Sequence, residues 1–145
     1  MSDAIIGTGI LLKRGDGAAP EVFTTVAEIV SLKPPSLSRN EVDVSNHNEG
    51  QEAKILGMLR KSAVTGTCNL LPTDATHGAS AGGMMGDILN NTKSNWRITY
   101  PPLGLPHDTF PGRIQLFEPQ EVTTDAPLQF AFAITLDGPI VRVET

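Results

Sequence analysis

The run from Val22 to Leu32 (VFTTVAEIVSL) is dense in β-branched and apolar side chains, holds neither Gly nor Pro, and is halted by Pro34 and Pro35. Side chains branched at Cβ suit a pleated sheet better than a helix. Two consecutive prolines remove two backbone donors, so a sheet ladder cannot pass through them. The run predicts a strand buried on much of both faces, far too short to span a membrane. Residues 33–56 then make a long, mostly polar connection whose one alternation is Val42 and Val44. In a small domain such a connection is either disordered or functional. Glu52 to Lys61, interrupted by Gly57, reads as irregular.

Upstream, Ile5–Lys13 predicts a first strand with Gly7 and Gly9 on one face, and Asp16-Gly17 a turn that returns the chain antiparallel into Val22–Leu32. Downstream, Ser62–Leu71 predicts a strand. Met84, Met85, Ile88 and Leu89 fall on one side of a short helix, with Thr76 or Ser80 as its cap. Ser94–Tyr100 places Trp96, Ile98 and Tyr100 on one face of a strand; PPLGLPHDTFPG reads as a loop, and Arg113–Glu118 as the strand after it. Leu128, Phe130, Phe132, Ile134 and Leu136 alternate with the small residues Gln129, Ala131, Ala133 and Thr135. One face is core, and the other suits contact with a second surface. Asp137-Gly138 turns the chain into a last strand, Pro139–Glu144. About seven strands and one flanking helix predict a mainly β fold, a two-sheet sandwich or partial barrel, as a single domain over residues 1–145.

The chemistry-bearing residues form no catalytic constellation. Acidic side chains outnumber basic ones, 16 to 11, the reverse of what a phosphate-backbone clamp requires. The single Cys68 excludes an internal disulfide and reads as a small buried hydrophobe. His47, His77 and His107 lie in predicted loops without metal-ligand spacing and read as solvated. Gly78-Ala-Ser80-Ala-Gly82 spells the nucleophile-elbow pattern, but no alternating βα units surround it. The same glycine-rich run lacks the Gly-Lys-Ser/Thr of a phosphate loop. No cofactor is expected. The N-terminus has no basic region ahead of a long apolar core, so no secretory signal is expected.

Taken in order, GTGILLKRGDG, VFTTVAEIVSLKPP, EVDVSNHNEG, ILGML, WRITYPP, the Phe110-Pro-Gly112 turn and the terminal LQFAFAITLDGPI hairpin resemble the major tail tube protein of long-tailed, non-contractile bacteriophages. The resemblance implies a tail-tube fold, shared with type VI secretion rings, without the appended immunoglobulin-like domain of some members. It implies a non-enzymatic virion protein, made in the bacterial host cytoplasm, whose hexameric rings stack into a tube that conducts DNA without binding it specifically. The implied partners are other copies of the chain, a tape measure protein in the lumen, and terminator and tip or baseplate proteins at the ends, with no membrane. Under this reading residues 33–56 are an inter-subunit arm carrying Pro34, Pro35, Leu37, Arg39, Val42, Val44, Asn46 and Asn48. Some of Glu28, Asp43, Glu118, Glu121, Asp125 and Asp137 would face the lumen and repel phosphates. A ring-forming tail terminator or head–tail connector is the alternative, and a small hydrolase using Ser80 or His107-Asp108 a third reading.

Overall fold

The computed structural model describes residues 9–47, 50–101 and 106–144. Its elements are β1 (Leu11–Gly15), β2 (Phe23–Thr25), β3 (Ile29–Lys33), β4 (Leu37–Asp43), β5 (Lys54–Lys61), β6 (Val64–Asn69), α1 (Met84–Asn90), β7 (Lys93–Thr99), β8 (His107–Pro119), β9 (Gln129–Leu136) and β10 (Val141–Val143). Eight strands form one sheet in the order β2-β1-β7-β8-β9-β6-β3, with β10 on β8, while β4 and β5 form a separate two-stranded sheet. The fold is thus mainly β, with two sheets and one short helix.

The expected strand Val22–Leu32 is in fact two strands at opposite ends of this order. Val26, Ala27 and Glu28 interrupt it, Glu28 taking a left-handed φ of 59°. Val22 and Val30 are 60% and 56% exposed, so the run is not buried on both faces. The break dictates the shape. Seven strands laid flat would separate β2 from β3 by about 29 Å at the usual spacing of about 4.8 Å. The four residue steps from Thr25 to Ile29 reach at most about 14 Å. The sheet must therefore roll until its edges approach one another.

Inside the roll lie Leu12, Val64, Cys68, Met84, Trp96, Ile98, Phe110, Ile114, Phe130, Phe132 and Ile134, all buried. Cys68 is part of this core, and burial pushes its thiol up to about 12. The alternations predicted for β7 and β9 hold: Trp96 and Ile98 face inward, as do Phe130, Phe132 and Ile134. Gly66 lets β3 and Phe132 close over β6, since a Cβ there would lie 2.5 Å from the Ser31 carbonyl and 2.8 Å from the Phe132 ring.

Three other expectations are corrected. His107–Gly112 is the first half of the long strand β8, not a loop; residues 102–105 of that expected loop, like Ile5 and Gly7 of the expected first strand, lie outside the described residues. Pro111 is tolerated within β8 because of where it falls. Its carbonyl accepts the Asp137 N–H at 2.9 Å, so its missing N–H faces the same side, in the gap between the stretches paired with β10 and with β9. Secondly, Glu52–Lys61 is not irregular: Lys54–Lys61 is strand β5, paired antiparallel to β4.

Thirdly, α1 buries Met84 and Asp87, with Ile88 partly covered, while Met85 and Leu89 are 41% and 66% exposed. Apolar spacing alone misplaced the buried face because a charged residue lies on it. Arg14 donates to both Asp87 carboxylate oxygens, at 2.8 and 2.9 Å, and ties the helix to β1. Neither Thr76 nor Ser80 caps α1 with its side chain. The Thr76 and Gly78 carbonyls accept the Met84 and Gly86 N–H groups instead.

Candidate functional site

The polar groups that looked reactive in the sequence are engaged in holding the fold. His77 is buried, not solvated. Its Nδ1 accepts the Leu71 N–H at 3.1 Å, so Nε2 carries the proton and donates to the Ala27 carbonyl at 2.9 Å. The ring also meets Phe130 edge-on at 5.0 Å. His77 therefore pins the crossing that joins β2 to β3, and Thr76 Oγ1 assists by accepting the Ala27 N–H. Ser80 is exposed in the turn before α1, with its carbonyl accepting the Gly83 N–H. His47 is exposed near the tip of the β4–β5 hairpin.

Asp108 is buried beneath Arg142, which donates to both carboxylate oxygens at 2.7 and 3.0 Å, while the Tyr100 hydroxyl donates at 3.0 Å. The Arg142 hydrogen bonds are the main reason its carboxyl lies below the ordinary value, and burial opposes them. Burial, then Asp108, pushes the Tyr100 hydroxyl up to about 12. The trio clamps β10 onto β7 and β8. A carboxyl depressed by folding stabilises the fold above its unfolded value of about 3.9, and that contribution is lost as pH falls through the folded value. Thermal unfolding should thus show Asp108→Asn less stable than wild type at pH 6, with the gap closing below about pH 4; a gap independent of pH would refute this role.

The surfaces left unsatisfied are of another kind. The hairpin β4–β5 leaves the rolled sheet between Ser36 and Ser62, where the Ser62 N–H donates to the Ser36 carbonyl at 3.0 Å and the Ser36 N–H to Ser62 Oγ at 2.7 Å. Seven residues of β4 carry it about 24 Å at about 3.4 Å per residue. Leu37, Val42, Val44, Ile55, Leu56, Met58 and Leu59 are all exposed. The register places Val42 opposite Ile55 on one face, and Leu56 and Leu59 opposite Glu41 and Arg39 on the other. Both faces are therefore apolar in part. A lone two-stranded ribbon is marginal in water, so this one is built to be covered.

The second surface is the four-stranded patch β3-β6-β9-β8, antiparallel at every step. Because Val64, Cys68, Phe130, Phe132 and Ile134 point inward, the register turns Thr65, Thr67, Ala131, Ala133 and Thr135 to the other face, where Ala133 is covered by its neighbours and the charged members are Lys33 opposite Thr65, Arg113 opposite Thr135 and Glu118 opposite Ala131. Both margins of this patch are open. β3 pairs only with β6, and β8 pairs with β7 only as far as Arg113, leaving the other edge of Ile114–Pro119 without a strand among the described residues.

The arm residues expected from sequence are thus distributed: Pro34 and Pro35 precede the hairpin, Leu37, Arg39 and Val42 lie on β4, Val44 and Asn46 follow it, and Asn48 lies outside the described residues. Of the six carboxylates expected at a lumen, Glu118 lies on the Thr and Ala face beside Ala131. Glu28, Glu121 and Asp125 lie at one end of the patch, and Asp43 follows Val42 at the far end of β4. Asp137 is paired with Lys93 at 3.5 Å and Arg113 at 3.4 Å. Sequence reasoning missed His77 and the Arg14–Asp87 pair, neither of which has a local signal. Among the described residues no group of His, Cys, Asp and Glu is gathered as a metal site.

No protein-family model and no curated protein matches the chain. Solved structures do. A chain in the virion of a native gene transfer agent particle superposes with a TM-score of 0.72 at 15% identity, over 97% of this chain and 99% of that one. The SPP1 tail tube superposes with a TM-score of 0.75 at 8% identity, over 98% of this chain and 80% of that one. A chain from the sheath-tube complex of an extracellular contractile injection system gives 0.72 at 10% identity, over 100% and 95%. At such identities the likeness establishes a shared fold.

Proposed function

We propose that the chain is a non-enzymatic structural subunit that closes into hexameric rings, which stack into a hollow virion tail tube conducting DNA. One observation carries this reading: the patch β3-β6-β9-β8 is open at both margins, and three antiparallel steps make its outer strands antiparallel to one another. Copies related by rotation about an axis would set the β8 edge of one beside the β3 edge of the next, in antiparallel sense, at every junction. Closing the ring removes the exposed edges. The Thr and Ala face would then form the wall of the conduit, with its cations, Lys33 and Arg113, confined to one end of the patch and Glu118 adding repulsion at the other. The exposed hairpin would cover its apolar faces on neighbouring copies.

The fold shared with tail and tube structures supports the reading. A contractile system is among them, so the non-contractile, long-tailed assignment rests on the sequence resemblance alone. Synthesis in a host cytoplasm, a tape measure protein within the lumen, and terminator and tip proteins at the ends belong to the same proposal. Electron microscopy of the purified chain at increasing concentration tests it. Hollow tubes of constant diameter are the expected result. Single rings that never stack would favour a terminator or connector, and a stable monomer at all concentrations would overturn the proposal.

A further inference from the structure

We infer that the two ends of the four-stranded patch are complementary docking surfaces for other copies of the chain, the carboxylate end of one copy seating on the cation end of the next. At one end lie Glu28 before β3, Asp74 after β6, and Glu118, Glu121 and Asp125 around the β8–β9 connection. The pairings Ile29 with Cys68, Asn69 with Gln129, and Pro119 with Phe130 bring these segments to the same end. Residues 62–92 and 114–141, which build most of it, contain no Lys or Arg.

The opposite end reverses the sign. Lys33 is opposite Thr65, Lys93 is opposite Arg113, and Lys61 Nζ donates to the Gly138 carbonyl. The acid among them, Asp137, is held between Lys93 and Arg113. The hairpin also departs from this end, since β4 follows Lys33 and β5 leads into Val64. An isolated surface ion pair contributes too little to select an orientation. The same contact repeated in every copy of a ring would select one, and it would steer the approach of the next ring. A copy presented upside down would set like charge against like. The charges therefore give stacking a direction, and they place the hairpin of one copy over the carboxylate end of its neighbour.

The inference rests on the tube reading, and the experiment separates the two. Tube growth is followed by light scattering and electron microscopy for wild type, for Glu121→Lys/Asp125→Lys, for Lys33→Glu/Lys93→Glu, and for the chain carrying all four substitutions. Matching circular dichroism and melting curves establish that each variant is folded; should a reversal variant not fold, Glu121→Gln/Asp125→Asn and the salt dependence of wild-type growth take its place. Each single-end reversal should slow elongation by about tenfold or more, the four-fold exchange should restore it, and growth of the wild type should slow as salt rises. Tubes that grow equally well with either end reversed, or that the exchange fails to rescue, overturn the inference and leave the tube reading intact. A wild-type chain that never associates overturns both.

Discussion

A chain in which Leu37–Lys61 is replaced by Asn-Gly should fold, melt within about 4 °C of the wild type and assemble no tubes. The first half of this expectation follows from the base of the hairpin. Ser36 and Ser62 already exchange two hydrogen bonds, so a tight turn closes the gap without moving β3 or β6. What the barrel loses is the Lys61 contact with the Gly138 carbonyl, a single hydrogen bond contributing about 1 kcal/mol. The second half follows from magnitudes. Burying a large apolar side chain stabilises by about 1.5–3 kcal/mol, so seven of them, each about half covered already, leave about 5–10 kcal/mol to be realised on contact. Association costs about 4–15 kcal/mol in lost freedom, so the hairpin decides whether copies join. Tubes growing at the wild-type rate from the shortened chain would reduce the hairpin to a connector.

Asp87→Ala should be the most damaging single change at a polar site. It leaves the Arg14 guanidinium, whose side chain is 15% exposed, beside α1 without its carboxylate. Breaking a buried pair from one side costs about 3–5 kcal/mol, whereas replacing both partners with apolar groups of similar size is often neutral. The double variant Arg14→Met/Asp87→Leu should therefore recover most of the loss. Urea unfolding of the wild type, the single and the double variant measures this directly. A single variant within about 1 kcal/mol of wild type, or a double variant as unstable as the single, would show that α1 is held by Met84 and Ile88 alone.

What could be read from the sequence is what a local pattern encodes. Phe130, Phe132 and Ile134 alternate because β9 has one wet side and one dry side, and Trp96 and Ile98 do the same on β7. The break at Glu28 has no such signal. Glutamate has no preference for positive φ, and the turn is held there by contacts distant in sequence: Thr76 and His77 to Ala27, Asn69 to the Glu28 carbonyl and carboxylate, and the Val26 N–H to the Leu12 carbonyl. Pro111 argues against a strand unless the neighbour on its N–H side is known, and that neighbour is 26 residues further on, at Asp137. The hairpin defeated periodicity for a different reason. A bulge opposite Asn40 shifts its register at Gly57 and Met58, and apolar side chains on both faces leave no two-residue alternation to detect. For α1 the error came from counting only apolar residues, when its buried face is completed by Asp87.

The even number of strands in the open patch has a consequence for size. Four strands per copy give antiparallel junctions for any number of copies, so hydrogen-bond pairing alone is indifferent to how many subunits close the circle. In the proposed ring, diameter would instead be set by strand tilt and stagger, on which the two irregular steps of the patch bear, one in β8 between Ile114 and Leu116 and one in β3 between Ile29 and Ser31. Variation at Gln115 would thus act as a dial on calibre, widening or narrowing the bore while every seam stays sealed.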